Sequence, residues 1–210
     1  MALILFIRHG VTEYTGKQLY GRSSGVSLSH EGREQVARLA ERLRRVRLSA
    51  LYSSPLERCM ETAAPIAEGR RLEIRPLDGV LEIDYGRFTG RTFPALRRAK
   101  LWREIRGMQP SAVRFPGGES LVDAQRRAVD AVTEVAERHR RGTAAIVSHG
   151  DVISLALAYY AGVHVDLYRR LEVSPASVSA VHLGEGIPRV RLVNDTGTLD
   201  DLVPTRAVRG

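Results

Sequence analysis

Leu3-Ile4-Leu5-Phe6-Ile7-Arg8-His9-Gly10 near the start of the chain and Ala144-Ala145-Ile146-Val147-Ser148-His149-Gly150 near its end share a pattern. Each is a short apolar run that stops at a polar or charged residue, a histidine and a glycine. Both runs read as buried strands. Ala50 to Ser53 is another short strand, and Leu72 to Arg75 a weaker one. Helical patterns lie between them. Ser29 can cap a helix whose apolar positions are Val36, Leu39, Ala40 and Leu43. Ser54-Pro55 predicts a second helix start, with Ser54 as N-cap and Pro55 at the first helical position, and Pro65 should kink or end that helix. Ser120 with Asp123 reads as a capping box before the face Leu121, Ala128, Val132 and Val135. Asp151 to Ala161 is apolar nearly all round and predicts a buried helix ended by Gly162. Val178 to Val181 and Val190 to Val193 suit a closing hairpin across Gly184-Glu185-Gly186. Strands alternating with helices predict an α/β fold, a mostly parallel sheet with helices on both faces.

The 210 residues are 43% hydrophobic and 27% charged, which fits one globular domain with its own core. No apolar run reaches the ~18 residues of a membrane span. Met1 to Ile7 is apolar but lacks a preceding basic segment and a following cleavage site, so it reads as a strand rather than a signal peptide. Cys59 is the only cysteine, which excludes internal disulfides and suits a reducing, cytoplasmic setting. The net charge is +8, and all but Lys17 and Lys100 of the 32 basic residues are arginines. They are spread along the chain without interleaved aromatics, which argues against a nucleic-acid platform and for attraction of small anions. The segment from about 85 to 118, with Tyr85, Phe88, Phe93, Trp102 and Phe115, breaks the α/β rhythm and reads as an insertion that roofs the site. The last ten residues read as a loose tail.

Ligands of open α/β sheets bind beyond the carboxyl ends of the strands. Here those ends gather Arg8, His9, Arg58 and His149 with a helix N-terminus, an anion site whose guanidinium forks suit phosphate. A cationic surround lowers a histidine's pKa and keeps one imidazole neutral, able to attack phosphorus. The second histidine, if protonated, can join the arginines around the transferring oxygens. Glu82, at the end of an apolar stretch, is the best-placed acid for the leaving oxygen, with Asp84 next. These cations can neutralise a phosphate, so no metal or other cofactor is required. A P-loop is excluded, because Gly10 is one residue too far from Gly16-Lys17 and Gln18 replaces the needed hydroxyl.

Together Arg8-His9-Gly10-Val11-Thr12, Ser53-Ser54-Pro55-Leu56-Glu57-Arg58 with Thr62-Ala63, Leu81-Glu82 before Tyr85-Gly86, Gly117-Gly118-Glu119-Ser120 and Ser148-His149-Gly150 resemble the histidine phosphatase superfamily. The resemblance is to the branch of cofactor-dependent phosphoglycerate mutases and small broad-specificity phosphatases. It implies one domain over residues 1–210, a three-layer α/β/α sandwich with a mixed, mostly parallel sheet and a small cap at about 85–118. It also implies that His9 accepts the phosphoryl group, that Arg8, Arg58 and His149 form the phosphate pocket, and that Glu82 donates the proton. Thr15 stands where the family often has a phosphate-contacting asparagine, and Thr198 where its tail often has a histidine. The implied activity is hydrolysis of small phosphorylated substrates, with a phosphomutase as the alternative. Arg22, Arg87, Arg91 and Arg114 are candidates for a second anionic group of the substrate. Asp200-Asp201 reads as solvated rather than metal-binding. The oligomeric state stays open, a homodimer included.

Overall fold

A computed structural model describes residues 1–68, 70–100, 102–103 and 109–197. Thr198, Asp200, Asp201 and the expected loose tail lie outside the described residues. The strands are β1 (Ala2–Arg8), β2 (Ala50–Ser53), β3 (Ile74–Pro76), β4 (Thr143–Ser148), β5 (Val178–Leu183) and β6 (Arg189–Asp195). The principal helices are α1 (His30–Leu43), α2 (Glu57–Ala67), the short α3 (Phe93–Arg97), α4 (Leu121–Arg138) and α5 (Gly150–Tyr160). One sheet runs β3-β2-β4-β1-β5-β6. The first four strands are mutually parallel, and β5 and β6 close the edge as an antiparallel hairpin. This is the expected mixed, mostly parallel sheet.

The period-2 geometry of β1 explains the three layers. Ile4 and Phe6 pack with Val132 of α4 and with Ile153 and Leu157 of α5. Leu5 and Ile7 point the other way, to Leu39 and Leu43 of α1 and Ala63 and Ile66 of α2. β1 and β4 therefore need apolar residues at almost every position, which is why both read as unbroken apolar runs. The interval after Tyr85 holds α3 and two single turns of 3-10 helix, Gly86–Phe88 and Pro110–Ala112. Its Tyr85, Phe88, Leu96, Trp102 and Phe115 pack with Leu121 and Ala128 of α4 and with Leu155 of α5.

Register sets up the site. Arg8 of β1 stands opposite Ser148 of β4, so His9 and His149 leave two adjacent parallel strands at the same level. Ser53 of β2 stands opposite Val147, which brings Ser54 and the start of α2 to the same rim.

Three local expectations need correction. α2 begins at Glu57 with Leu56 as its N-cap, not at Ser54-Pro55; the Ser54 hydroxyl accepts from the Leu56 amide at 3.5 Å and lies 2.8 Å from His149 Nε2, ahead of the helix rather than at its cap. Pro65 lies inside α2, which continues to Ala67. β3 spans Ile74–Pro76, shifted toward the C-terminus from the expected Leu72 to Arg75. At α4 the Ser120 hydroxyl accepts from the Asp123 amide at 3.1 Å, and the Asp123 carboxylate accepts from that hydroxyl at 2.7 Å, so the expected cap is made with a hydroxyl–carboxylate variant.

Candidate active site

His9 follows β1 directly and is almost fully buried at 1% exposure. Its Nδ1 lies 2.7 Å from the carbonyl oxygen of Gly10. A carbonyl only accepts, so Nδ1 carries the proton and Nε2 keeps its lone pair. The Gly10 amide donates to Thr62 Oγ1 of α2 at 3.2 Å, which ties the histidine loop to the neighbouring helix. A Cβ at Gly10 would stand 2.7 Å from the Gly32 carbonyl oxygen at the start of α1, so only glycine fits that approach. Burial first, then the charges of Arg58 and Arg8, holds the His9 pKa well below its usual value. A neutral, oriented imidazole results.

The arginines around it have donors to spare. Arg58 lies in the first turn of α2 and is wholly buried. Its Nη2 donates to the Gly21 carbonyl at 2.7 Å, and its guanidinium lies 4.8 Å from the centre of the Tyr20 ring. Its Nε and Nη1 are buried without a partner, and so is Nε of Arg8. Arg8 Nη1 donates to the Val173 carbonyl at 2.6 Å, and its guanidinium lies against Gly150, where a Cβ would come within 3.1 Å. Buried unpaired donors are rare in folded proteins. Three on two adjacent guanidinium groups form a pocket that an oxyanion completes.

His149 sits edge-on to His9, ring centres 5.3 Å apart at 64°. Its expected place beside the arginines was conditional on protonation, which its surroundings disfavour. Its Nδ1 lies 3.2 Å from Arg58 Nη2, which can only donate, so Nδ1 is bare. Nε2 then carries the proton and donates to Ser54 Oγ at 2.8 Å. Burial, then the positive charge of Arg58, pushes its pKa well below the usual range. Glu82 closes the other side. Its Oε2 is 3.8 Å from His149 Nδ1, and its Oε1 accepts from the Ile83 amide at 2.9 Å. Burial, then the negative charge of Asp151, raises its pKa to about 7 against the pull of Arg58.

Backbone contacts hold Glu82 in place. Its carbonyl accepts from Arg22 Nε at 2.7 Å and from Arg127 Nη2 at 3.2 Å. Both arginines are paired to Glu119, whose carboxylate also takes the Asp84 amide at 2.9 Å. The Ser148 hydroxyl donates to the Val80 carbonyl at 2.7 Å, joining the end of β4 to the turn before Glu82.

Arg8, His9, Arg58, Glu82 and His149 are thus brought together. Thr15 lines the same cleft of about 410 Å³, but its hydroxyl accepts from the Thr12 amide at 2.9 Å. The four candidate arginines for a second anion are not gathered there, which corrects that expectation. Arg22 is paired to Glu119, and Arg114 to Asp123 at the start of α4. Arg91 lies over Phe88, and Arg87 is exposed outside the cleft lining. Asp84 also turns away, accepting from the Gly86 amide at 2.9 Å. Sequence reasoning missed Asp151, Arg169 and Glu172 in the cleft lining. Only Asp151 had a signal, as the residue that directly follows Ser148-His149-Gly150.

Residues 4–196 match the histidine phosphatase superfamily (branch 1). The chain belongs to that superfamily. A relative named phosphoserine phosphatase 1, from Hydrogenobacter thermophilus, is 31% identical over 190 residues, covering 88% of each chain. A probable phosphoglycerate mutase GpmB from Salmonella choleraesuis is 27% identical, covering 88% of this chain and 86% of that one. Among solved structures, Bacillus stearothermophilus YhfR superposes with a TM-score of 0.87 at 27% identity, covering 93% of this chain and 98% of that one. This histidine phosphatase is accordingly an enzyme of the phosphomonoesterase type. No helix among its described residues is long and apolar enough to cross a membrane.

Proposed function

We propose that this chain hydrolyses small phosphomonoesters through a phosphohistidine formed on His9, without a metal ion. One observation carries the reading: the Gly10 carbonyl fixes the Nδ1–H tautomer of His9, leaving a bare Nε2 beside the unpaired donors of Arg8 and Arg58. In the first step the Nε2 lone pair attacks phosphorus and the bond to the leaving oxygen breaks. The spare guanidinium donors of Arg8 and Arg58 hold the equatorial oxygens, with the neutral His149 ring fixing Arg58 beside them. Glu82, half protonated near neutral pH, gives its proton to the leaving oxygen. In the second step water attacks phosphorus, the P–N bond breaks, and the Glu82 carboxylate takes the proton from water.

Two other features support the reading. A relative is named as a phosphatase. Neutralisation of the phosphate falls to the guanidinium groups, whose buried donors at Arg8 and Arg58 are unpaired. Buried, reduced Cys59 suits a cytoplasmic enzyme. The relative named as a probable phosphoglycerate mutase favours a second reading, phosphoryl return to a second substrate hydroxyl rather than to water. Release of inorganic phosphate from a small ester without added bisphosphoglycerate separates the two.

The leaving group tests the acid. An alkyl phosphate needs the proton from Glu82, and p-nitrophenyl phosphate hardly does. Glu82→Gln should slow phosphoenzyme formation far more for the first than for the second. Equal single-turnover losses on both would remove Glu82 from the role, and the same selective loss in Asp151→Asn but not Glu82→Gln would move the role to Asp151.

A further inference from the structure

Gly117-Gly118-Glu119-Ser120 takes no part in either chemical step, although its sequence stands with those that do. Gly118 lets its backbone approach the segment that carries the acid. A Cβ there would strike the Asp84 carbonyl oxygen, and the Glu119 amide donates to that same oxygen at 3.0 Å. The Glu119 carboxylate then collects four hydrogen bonds. Its Oε1 accepts from Arg22 Nη2 at 3.0 Å, from the Asp84 amide at 2.9 Å and from Arg127 Nη2 at 2.6 Å, and its Oε2 accepts from Arg127 Nε at 2.9 Å. Two arms run from this carboxylate to the reacting groups. Arg127 donates to the Glu82 carbonyl at 3.2 Å and to the Gly79 carbonyl at 2.9 Å, so it grips the turn that ends in the acid. Arg22 donates to the Glu82 carbonyl at 2.7 Å, and it directly follows Tyr20 and Gly21, whose ring and carbonyl hold Arg58. Glu119, Arg22 and Arg127 lie outside the lining of the cleft, so they act through other residues.

We propose that Glu119 is a positioning residue that fixes the Glu82 acid and the Arg58 guanidinium relative to each other, so that one carboxylate sets both proton donation and phosphate affinity. The assignment rests on the phosphomonoesterase reading above. Two guanidinium groups with 34% and 22% side-chain exposure meet on a carboxylate with 15%, so loss of that one anion releases both. A misplacement of about 1 Å in a catalytic group costs up to about a hundredfold in rate. Charge alone predicts a different pattern. Removing the negative Glu119 would tighten the binding of a phosphate dianion nearby, and removing the positive Arg127 would weaken it. The bracket predicts weaker phosphate binding in the first case and nearly unchanged binding in the second, because the contacts that reach Arg58 run through Arg22 and not through Arg127.

The test reads the two arms separately in the intact chain. Single-turnover phosphoryl transfer from glycerol 3-phosphate and from p-nitrophenyl phosphate reads the acid. Calorimetric titration with inorganic phosphate reads the Arg58 arm without turnover. Glu119→Gln keeps the size and one acceptor oxygen. It should slow transfer from glycerol 3-phosphate by about tenfold to a hundredfold more than transfer from p-nitrophenyl phosphate, and raise the phosphate Kd about threefold to tenfold. Arg127→Met should show the same leaving-group selectivity with a phosphate Kd within about twofold of wild type. Arg22→Met, the most exposed of the three, should show both effects and carries the test if Glu119→Gln does not fold. Equal losses on the two esters, or a phosphate Kd that falls or stays level in Glu119→Gln, overturns the bracket and leaves the phosphatase. A wild type that binds phosphate but hydrolyses neither ester overturns the phosphatase reading, and the phosphate Kd of Glu119→Gln then decides the bracket by itself.

Discussion

Replacing Glu82 with Gln should make the protein more stable, and by an amount that depends on pH in a defined way. Glu82 is 8% exposed, and burial raises its pKa from 4.5 to about 7. Below pH 4.5 the carboxyl is neutral whether the chain is folded or unfolded, and it contributes no pH dependence. Between 4.5 and about 7 the unfolded chain ionises while the folded one resists, so stability is lost as the pH rises. Above about 7 the loss is complete, at about 3 kcal/mol. Gln keeps an oxygen to accept from the Ile83 amide and never ionises. The stability difference between Glu82→Gln and wild type should therefore grow by about 3 kcal/mol from pH 4 to pH 8, or about 10 °C in the difference of midpoints for a chain of this size. Urea titrations at half-unit pH steps, in buffers free of phosphate and sulfate, measure it, and every other titrating group cancels in the difference. A difference that stays flat from pH 4 to 8 would mean that Glu82 ionises normally in the folded protein, which would remove its place as an acid at neutral pH.

Activity should follow the same carboxyl. For an alkyl phosphate, kcat/KM should fall about tenfold per pH unit above about 7, where Glu82 loses its proton, and this limb should be absent in Glu82→Gln. Arg58→Met removes a buried charge with two unpaired donors, so thermal stability should hold or rise while the stabilisation of wild type by inorganic phosphate disappears in melting scans. A lower midpoint together with an intact phosphate effect would show Arg58 to be structural. Dialysis against EDTA should leave turnover unchanged, and recovery of a lost activity on adding a divalent ion alone would contradict the metal-free mechanism.

The parts of this molecule that were legible in sequence are those where one residue type answers one local demand. The apolar runs of β1 and β4 had to be strands buried on both faces, and the histidines after them had to emerge at one rim of a parallel sheet. The arginines of the second anion site failed for the opposite reason. Arg22 and Arg127 brace the Glu82 carbonyl through Glu119, a bracket joining residues from three distant stretches of chain, and no local pattern announces it. Arg169 carries no flanking motif, and its place in the cleft is set by the packing of Tyr168 and Trp102. Ser54 had the sequence of an N-cap and does take the Leu56 amide, but the helix starts two residues later, and its contact with His149 has no local signal. For His149, charge counting alone favours a cation near phosphate, whereas burial beside Arg58 favours the neutral ring.

The central claim is that His9 Nε2 carries the phosphoryl group between substrate and water. Rapid acid-free quenching of wild type with a 32P-labelled phosphomonoester, followed by alkaline digestion and peptide mapping, reads it directly. The account predicts an acid-labile, alkali-stable phosphoramidate on the peptide containing His9, substituted at Nε2 because Nδ1 is committed to the Gly10 carbonyl, forming and decaying fast enough to lie on the path of turnover. Label on His149 or on a carboxylate such as Asp151, or turnover in single-turnover mixing with no labelled protein at any time, would contradict it.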